Sequence, residues 1–323
     1  MTSRSDVPWE KPRLGISTCL LGERVRYDGG HKRDRFLTDT FGKFVEWVPV
    51  CPEVECGLPI PRESMHLEGD PDAPRLVTSR TGVDLTKQMR DWAAKRVREL
   101  ERENLSGFIF KANSPSSGME RVKVFDEKGM PHKVGSGLFA RAFMDHFPLL
   151  PVEEEGRLHD PLLRENFIES VFCLKRYRDA ARGRRSARGL IDFHAAHKLQ
   201  IMAHSPAVLK EMGRLVARQK ELGRNELFDR YEELLTKALR LKATPGKNAN
   251  VLQHALGYFK KELSADEKRE ALEIIESYRN EVVPLVVPVT LISHYARKYE
   301  PEYLARQTFL DPHPGELKLR NHA

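Results

Sequence analysis

The chain has 323 residues, 40% hydrophobic and 31% charged, with a formal net charge of +7 and a pI near 9.2. Four cysteines in a chain this long exclude a disulfide scaffold, and the lack of any apolar run of about eighteen residues excludes a membrane-spanning helix. The length allows two domains, the positive balance favours an anionic partner, and the polar start, Met1 to Arg13, lacks a signal core, so a cytoplasmic protein is expected.

Leu14-Gly-Ile-Ser-Thr-Cys19-Leu-Leu-Gly22 reads as a first strand ending in a turn. Cys19 then sits at the strand's C-terminal end, where open α/β sheets place their ligands. The Asp-Gly-Gly of Arg26-Tyr27-Asp28-Gly29-Gly30-His31-Lys32 marks a turn. Arg26, Tyr27 and Asp28 are candidate substrate contacts, with a plain polar loop as the equal alternative. Residues 35–43 read as a short helix and 44–50 as a second strand. That strand runs into Cys51-Pro-Glu53-Val-Glu-Cys56-Gly-Leu-Pro-Ile-Pro61-Arg62-Glu63. Prolines fix φ and remove backbone donors, so this is a stiff loop rather than the middle of a helix or central strand. Such a loop can hold Cys51, Glu53 and Cys56 in the fixed array a metal site needs. Two unrelated free thiols are the alternative, because C-x4-C is not a specific metal spacing.

Residues 69–74 meander, and 84–104 are helical, with Leu85, Met89, Trp92, Ala93, Val97 and Leu100 spaced by three and four. A third short strand, 107–111, exits into a loop over 112–124. Three apolar strands with small-residue exits predict a mostly parallel, Rossmann-like α/β sheet whose loops converge along one edge. Gly135-Ser-Gly137 has the form of a phosphate loop, but an ordinary helix start is the better reading.

Residues 151–160 read as a linker, and Pro161 starts a helix through Arg182. Lys175, Arg176, Arg178, Arg182, Arg184, Arg185 and Arg188 stand against one acid, Asp179, with Tyr177 interleaved. This run is a candidate phosphate-binding surface, with a solvated face as the alternative. From Leu190 onward the pattern is helical, with Ser205-Pro206 as a helix start, Ser264-Ala-Asp-Glu267 as a capping box, and Pro284 and Pro288 breaking the last apolar stretch. Cys173 reads as a small core residue; His194 and His197 share a helix side and read as packing or RNA contacts before a metal site. The expected layout is an α/β domain over 1–150, a linker and connecting helix over 151–182, and an all-α domain over 183–323.

Cys19-Leu-Leu-Gly22, Arg26-Tyr-Asp-Gly-Gly30, Cys51-Pro-Glu53, Gly57-Leu, Pro61-Arg-Glu63 and Lys111-x-x-Ser114-Pro-Ser-x-Gly118, in this order, resemble the thiouracil desulfurase (TudS) family. The resemblance implies a 4Fe–4S cluster held by three cysteines, with one iron left free for the sulfur of a thiolated base. One position departs: the family's last loop usually reads Ser-Pro-Ser-Cys-Gly, and Ser117 stands in place of that cysteine. Cys56 occupies a position that is usually not cysteine. The favoured ligand set is Cys19, Cys51 and Cys56, with one ligand moved between neighbouring loops. Cys19 and Cys51 with Ser117 as an oxygen ligand, or an altered or absent cluster, are the alternatives. Glu53 is the candidate general acid/base, against a role capping backbone N–H groups. Ser114 is the candidate for orienting base or water, against a turn cap before Pro115.

Leu190-Ile-Asp-Phe-His194-Ala-Ala-His197, Asn250-Val-Leu-Gln-His254 and Val283-Pro-Leu-Val-Val-Pro288 resemble the YbgA-type helical domain. The combined layout is similar to that of the RudS proteins. This implies removal of sulfur from 4-thiouridine in tRNA, giving uridine, with the helical domain gripping the RNA. A desulfurase of free thiouracil or thionucleosides is one rival reading. A non-catalytic RNA-binding or sensor protein with an altered cluster site is the other. No protein partner is evident.

Overall fold

A computed structural model describes residues 11–181 and 186–322, and the chain divides between Asp160 and Pro161 into two compact units. Among the described residues no helix is long and apolar enough to cross a membrane.

The first unit runs β1 (Arg13–Ser17), β2 (Glu46–Val50), α1 (Pro52–Glu55), β3 (Met65–Glu68), β4 (Arg75–Thr78), α2 (Thr86–Leu100), β5 (Phe108–Phe110), β6 (Val122–Phe125), β7 (Pro131–Gly135), α3 (Leu138–His146) and β8 (Val152–Glu154). Its main sheet has the order β2-β1-β5-β8, and every pairing in it is parallel. The chain leaves β1 to one side for β2 and returns on the other side as β5. Such a reversal opens a crevice at the C-terminal strand ends. Leu14, Ile16, Phe108, Ile109 and Phe110 are fully buried, the continuous apolar run expected of strands covered on both faces. Gly15 makes room for this packing: a Cβ there would lie 2.1 Å from the Phe108 ring. Phe108, Phe110, Phe139 and Phe143 form one aromatic cluster, with neighbouring centroids 4.3–6.3 Å apart. Each such buried side chain contributes about 1.5–3 kcal/mol.

Two expectations are corrected here. The segment read as a linker contains β8, which pairs with β5 as the sheet's last strand; its Glu153-Glu154 ending disguised it. A second sheet, β4-β3-β6-β7, joined by antiparallel hairpins and one parallel pair, was not expected: β3 and β4 flank the meander, β6 begins at the end of the exit loop and β7 follows it. These strands have only four or five residues, and β7 is exposed along most of its length, so neither alternation nor an apolar run announced them.

The second unit is helical, as expected: α4 (Pro161–Ala181), α5 (Ala187–His204), α6 (Pro206–Ala217), α7 (Arg224–Leu239), α8 (Pro245–Leu256), α9 (Ala265–Arg279), α10 (Val286–Tyr299) and α11 (Glu302–Ala305). The caps read from sequence form: Ser205 accepts from the Val208 N–H at 3.2 Å, and Ser264 with Glu267 makes the full capping box. Pro288 does not break the last helix. It lies in the first turn of α10, where a missing N–H leaves no intrahelical bond unmade.

Candidate active site

The crevice at the strand ends is a cavity of about 320 Å³, and β1, β2 and β5 each deliver a loop to it. After β1 the chain makes one tight turn over Thr18–Leu21, closed by Gly22 in the left-handed region at φ 98°, and this presents Cys19. After β2, Cys51 enters the cavity as the residue before α1, with Pro52 at the first helical position. The carboxylate of Glu55 accepts the Cys51 N–H at 2.8 Å. After β5 come Lys111, Ala112, Asn113, Ser114, Pro115 and Ser117. The Lys111 N–H donates to the Ser17 hydroxyl at 2.9 Å, fastening the ends of β1 and β5 together.

Glu53, two residues after Cys51, also lines the cavity. Its Oε2 is 3.6 Å from the Cys51 sulfur and 3.6 Å from the Arg62 guanidinium. Its Oε1 accepts the hydroxyl of Ser116, which is fully buried. Ser116 Oγ is in turn 3.0 Å from Ser114 Oγ, and Ser114 Oγ accepts the N–H groups of Ser116 and Ser117 at 3.3 and 3.1 Å. The directions are fixed. Ser116 spends its proton on the carboxylate, so the Ser114 hydroxyl donates to Ser116. A cavity-lining hydroxyl is thereby joined to a carboxylate by two hydrogen bonds in series.

Burial, and then the Glu53 charge, push the Cys19 thiol up to about 11 and the Cys51 thiol up to about 12. Both are therefore protonated at neutral pH until a metal centre displaces the protons. The Ser117 residue is buried, lines the same cavity, and its hydroxyl makes no hydrogen bond among the described residues.

Cys56 is placed elsewhere. Its thiol donates to the Glu53 carbonyl at 3.3 Å, and it packs against the cluster of Leu67, Leu76 and Met89, outside the cavity lining. The reason is helical: Cys51 and Cys56 flank one turn, and five residues rotate a side chain by about 140°. Among the described residues no three His, Cys, Asp or Glu side chains converge as a metal-binding group. The cavity's own donor set is two thiols and the Ser117 hydroxyl.

Arg26 lines the cavity, while Asp28 does not. Asp28 accepts from the Gly30 N–H at 2.9 Å and lies 3.5 Å from Arg26, so it shapes the turn and aims the guanidinium. Those contacts, the backbone bond first, hold its carboxyl below the usual range. Tyr27, 43% exposed, sits at the cavity with Arg26 5.4 Å from its ring centroid. Gly137 is no phosphate loop; a Cβ there would lie 2.4 Å from the Ser116 carbonyl carbon, so it is the gap into which the seryl loop fits. Sequence reasoning missed Ser116, Arg62 and the anchors of this loop. The Glu155 carboxylate takes the Lys111 ammonium and accepts the Ala112 N–H at 2.7 Å, and Glu154 accepts the Met119 N–H at 2.8 Å. A seryl loop facing an acid two strands away was the only available signal.

The basic run of the second unit is corrected in part. Lys175 is buried and paired with Asp179, and Arg176 donates to His197 at 2.9 Å and to the Pro312 carbonyl at 2.8 Å. Arg178 is 3.1 Å from Glu232, and Tyr177 is buried with its hydroxyl donating to the Phe228 carbonyl at 2.6 Å. They lie on a helix packed on several sides, so their charges serve the interior. Arg188, 86% exposed at the side chain, pairs with Asp192 at 3.2 Å. Arg182, Arg184 and Arg185 lie outside the described residues. His194 contacts the Tyr231 hydroxyl at 3.1 Å, His197 stacks on Phe193 at 3.8 Å, and Cys173 is buried, all as packing residues.

Comparison with known proteins places both units. Residues 14–155 match the family model for 2-thiouracil desulfurase, and residues 198–314 match a protein family of unknown function, DUF1722. The chain is 32% identical over 111 residues to the uncharacterized protein YbbK of Bacillus subtilis strain 168, covering 32% of this chain and 71% of that one. It is 29% identical over 133 residues to the uncharacterized protein YbgA of Escherichia coli strain K12, covering 41% and 79%. A solved structure of the [4Fe-4S]-dependent thiouracil desulfidase TudS is similar at 28% identity, with a TM-score of 0.39 over 46% of this chain and 95% of that one. The chain belongs to the 2-thiouracil desulfurase family through its first unit, with a YbgA-like DUF1722 region following in the same polypeptide.

Proposed function

We propose that this protein is an iron–sulfur-dependent desulfidase that exchanges the sulfur of a thiolated uracil for oxygen, acting without redox change on 4-thiouridine in tRNA. The observation that carries the reading is the Glu53–Ser116–Ser114 chain opening onto the cavity that holds Cys19 and Cys51. The similar desulfidase TudS is described as [4Fe-4S]-dependent. The donor set here suits such a cluster through two thiols, with Ser117 as the third, oxygen, ligand rather than Cys56. When bound, the cluster supplies a Lewis acid for the thiocarbonyl sulfur.

The rest is done by side chains of this chain. Water adds to the ring carbon, the C–S bond breaks, and sulfur leaves as hydrosulfide while the carbonyl forms. Ser114, at the cavity wall, holds the water, and its proton passes through Ser116 to Glu53. Glu53 then returns a proton to the leaving sulfur or ring nitrogen. Tyr27 offers a face on which a base stacks, and Arg26 offers a charge for the attached phosphate.

A second reading, action on free thiouracil or thionucleosides, is favoured by the burial of Lys175 and the engagement of Arg176 with His197 and the Pro312 carbonyl, which takes two cations from the expected RNA surface. Anaerobic reconstitution followed by the loss of 4-thiouridine absorbance separates the two. Turnover on tRNA well above that on free thiouracil supports the tRNA reading; equal or higher turnover on the free base supports the second. Iron and sulfide incorporation without turnover on either overturns both.

A further inference from the structure

Arg62 lines the active-site cavity, yet its side chain is only 7% exposed. Its backbone N–H donates to the Tyr27 carbonyl at 2.8 Å. Its Nη1 donates to the Val25 carbonyl at 3.1 Å and to the Pro59 carbonyl at 3.3 Å. Its Nη2 lies 3.6 Å from Oε2 of Glu53. One side chain thus joins the turn after β1, which carries Arg26 and Tyr27, to the carboxylate after β2. We propose that Arg62 is the positioning residue for Glu53: it fixes which carboxylate oxygen faces the proton chain and ties that carboxylate to the turn on which the base stacks. This role rests on the desulfidase reading of the cavity.

The two oxygens of Glu53 have different company. Oε1 accepts the Ser116 hydroxyl, while Oε2 faces Arg62 and the Cys51 sulfur, 3.6 Å from each. The last torsion of a glutamate is broad, so the side chain does not select this orientation by itself. Among the described residues Arg62 is the one cation within 4.0 Å of the Glu53 carboxylate. The other two cations of the cavity are turned elsewhere, Arg26 to Asp28 at 3.5 Å and Lys111 to Glu155. Without Arg62, Oε2 is left with a thiol, a weak donor.

The geometry calls for an arginine. Two carbonyls hold one terminal nitrogen, and the planarity of the guanidinium then delivers the other to the carboxylate. A lysine ammonium is a point charge on a flexible stem and has no such fork. Packing does not account for the residue either. The Arg62 Nε is buried with no hydrogen-bond partner among the described residues, and an unmet buried donor costs stability.

A double-mutant cycle tests this. Single-turnover loss of the thiocarbonyl absorbance of 4-thiouracil, free or in tRNA, is measured for the reconstituted wild type, Glu53→Gln, Arg62→Gln and the double variant. Arg62→Gln keeps a donor for the carbonyls and removes the charge. It should fold, bind as much iron as the wild type and lose about tenfold or more in rate, the scale of a misplaced catalytic group. Arg62→Lys, which keeps the charge, should recover part of that loss. In the Glu53→Gln background Arg62→Gln should cost less than about twofold further, because nothing is left to position. Losses that multiply in the double variant overturn the proposal, as does a wild-type rate in folded Arg62→Gln. Loss of iron from both Arg62→Gln and Arg62→Lys overturns it too, since Arg62 would then serve the metal site. Where Arg62→Gln does not fold, Arg62→Lys carries the same cycle. An iron-loaded wild type without turnover fails before any variant is compared; it removes the desulfidase reading and this role with it.

Discussion

Ser116 donates its hydroxyl proton to Glu53 across 63 positions of sequence, and neither residue can be reoriented without disturbing the other. Ser116 is fully buried and is not part of the lining of this cavity, so its influence on substrate passes through its two neighbours. Glu53→Gln should keep the bound iron and lose about 10²-fold or more in rate, the usual scale for a general acid/base. Ser116→Ala should lose a similar factor with little change in KM, since Ser114 remains in place. Ser116→Thr, which keeps the hydroxyl, should recover part of the rate. Single-turnover rates for the three variants check this; a normal rate in Ser116→Ala would show that protons take another route.

The ligand set is tested by metal content rather than by activity. Cys19→Ala and Cys51→Ala should lose bound iron and sulfide after anaerobic reconstitution, while Cys56→Ala and Cys173→Ala should retain them. Ser117→Cys replaces a hard oxygen by a soft thiolate, so it should slow the loss of iron to a chelator. A Cys56→Ala protein without iron would restore Cys56 as a ligand.

RNA binding by the basic segment now rests on fewer residues. Neutralising Arg188 together with Arg182, Arg184 and Arg185 should weaken tRNA binding. It should also flatten the salt dependence, by roughly one unit of slope for each phosphate left without its arginine. Lys175→Ala and Arg176→Ala should instead lower the thermal midpoint, because each strips a partner from a buried group. Filter binding across a salt series, with melting curves, distinguishes the two classes.

The pH dependence of stability carries the mark of Glu165. Its carboxyl is raised from 4.5 to about 7 in the folded state, so its neutral form is the favoured one there. That contribution is fully present below about pH 4.5 and is lost as pH rises through 7, at most on the order of 3 kcal/mol. Glu169, held at about 2, has the opposite sign: its contribution is present above about 4.5 and is lost as pH falls toward 2. Denaturant titrations between pH 4.5 and 8 should therefore show the wild type losing stability relative to Glu165→Gln as pH rises. A constant difference across that range would contradict the assignment.

Much of this was readable before the structure. The exits of β1, β2 and β5 carry their own punctuation, so Cys19, Cys51, Glu53, Ser114 and Ser117 were found as one site. Cys56 lies outside the cavity lining, which the reading of the prolines as a stiff loop does not anticipate. Pro52 at a first helical position, together with the five-residue spacing, was enough to turn Cys56 away from Cys51. The relay serine stayed hidden because a hydroxyl between two polar groups has no sequence periodicity. The reading of Lys175, Arg176 and Arg178 as surface cations failed for a general reason: a helix buried on several sides takes long charged side chains inward when carboxylates and carbonyls wait there.

Glu154 ends the last strand of the main sheet and Glu155 follows it, yet they hold the loop that carries Ser114 and Ser117. During synthesis Cys51 emerges roughly a hundred residues before them, about 5–20 s earlier at ordinary ribosomal rates. Over that interval the thiols are made but the seryl wall has no anchor. A cluster delivered too early would meet two cysteines on an unfinished sheet, open to oxidation and to the wrong metal. Loading is therefore expected to follow release of residue 155, and ribosome-bound chains stalled before it should take up no iron.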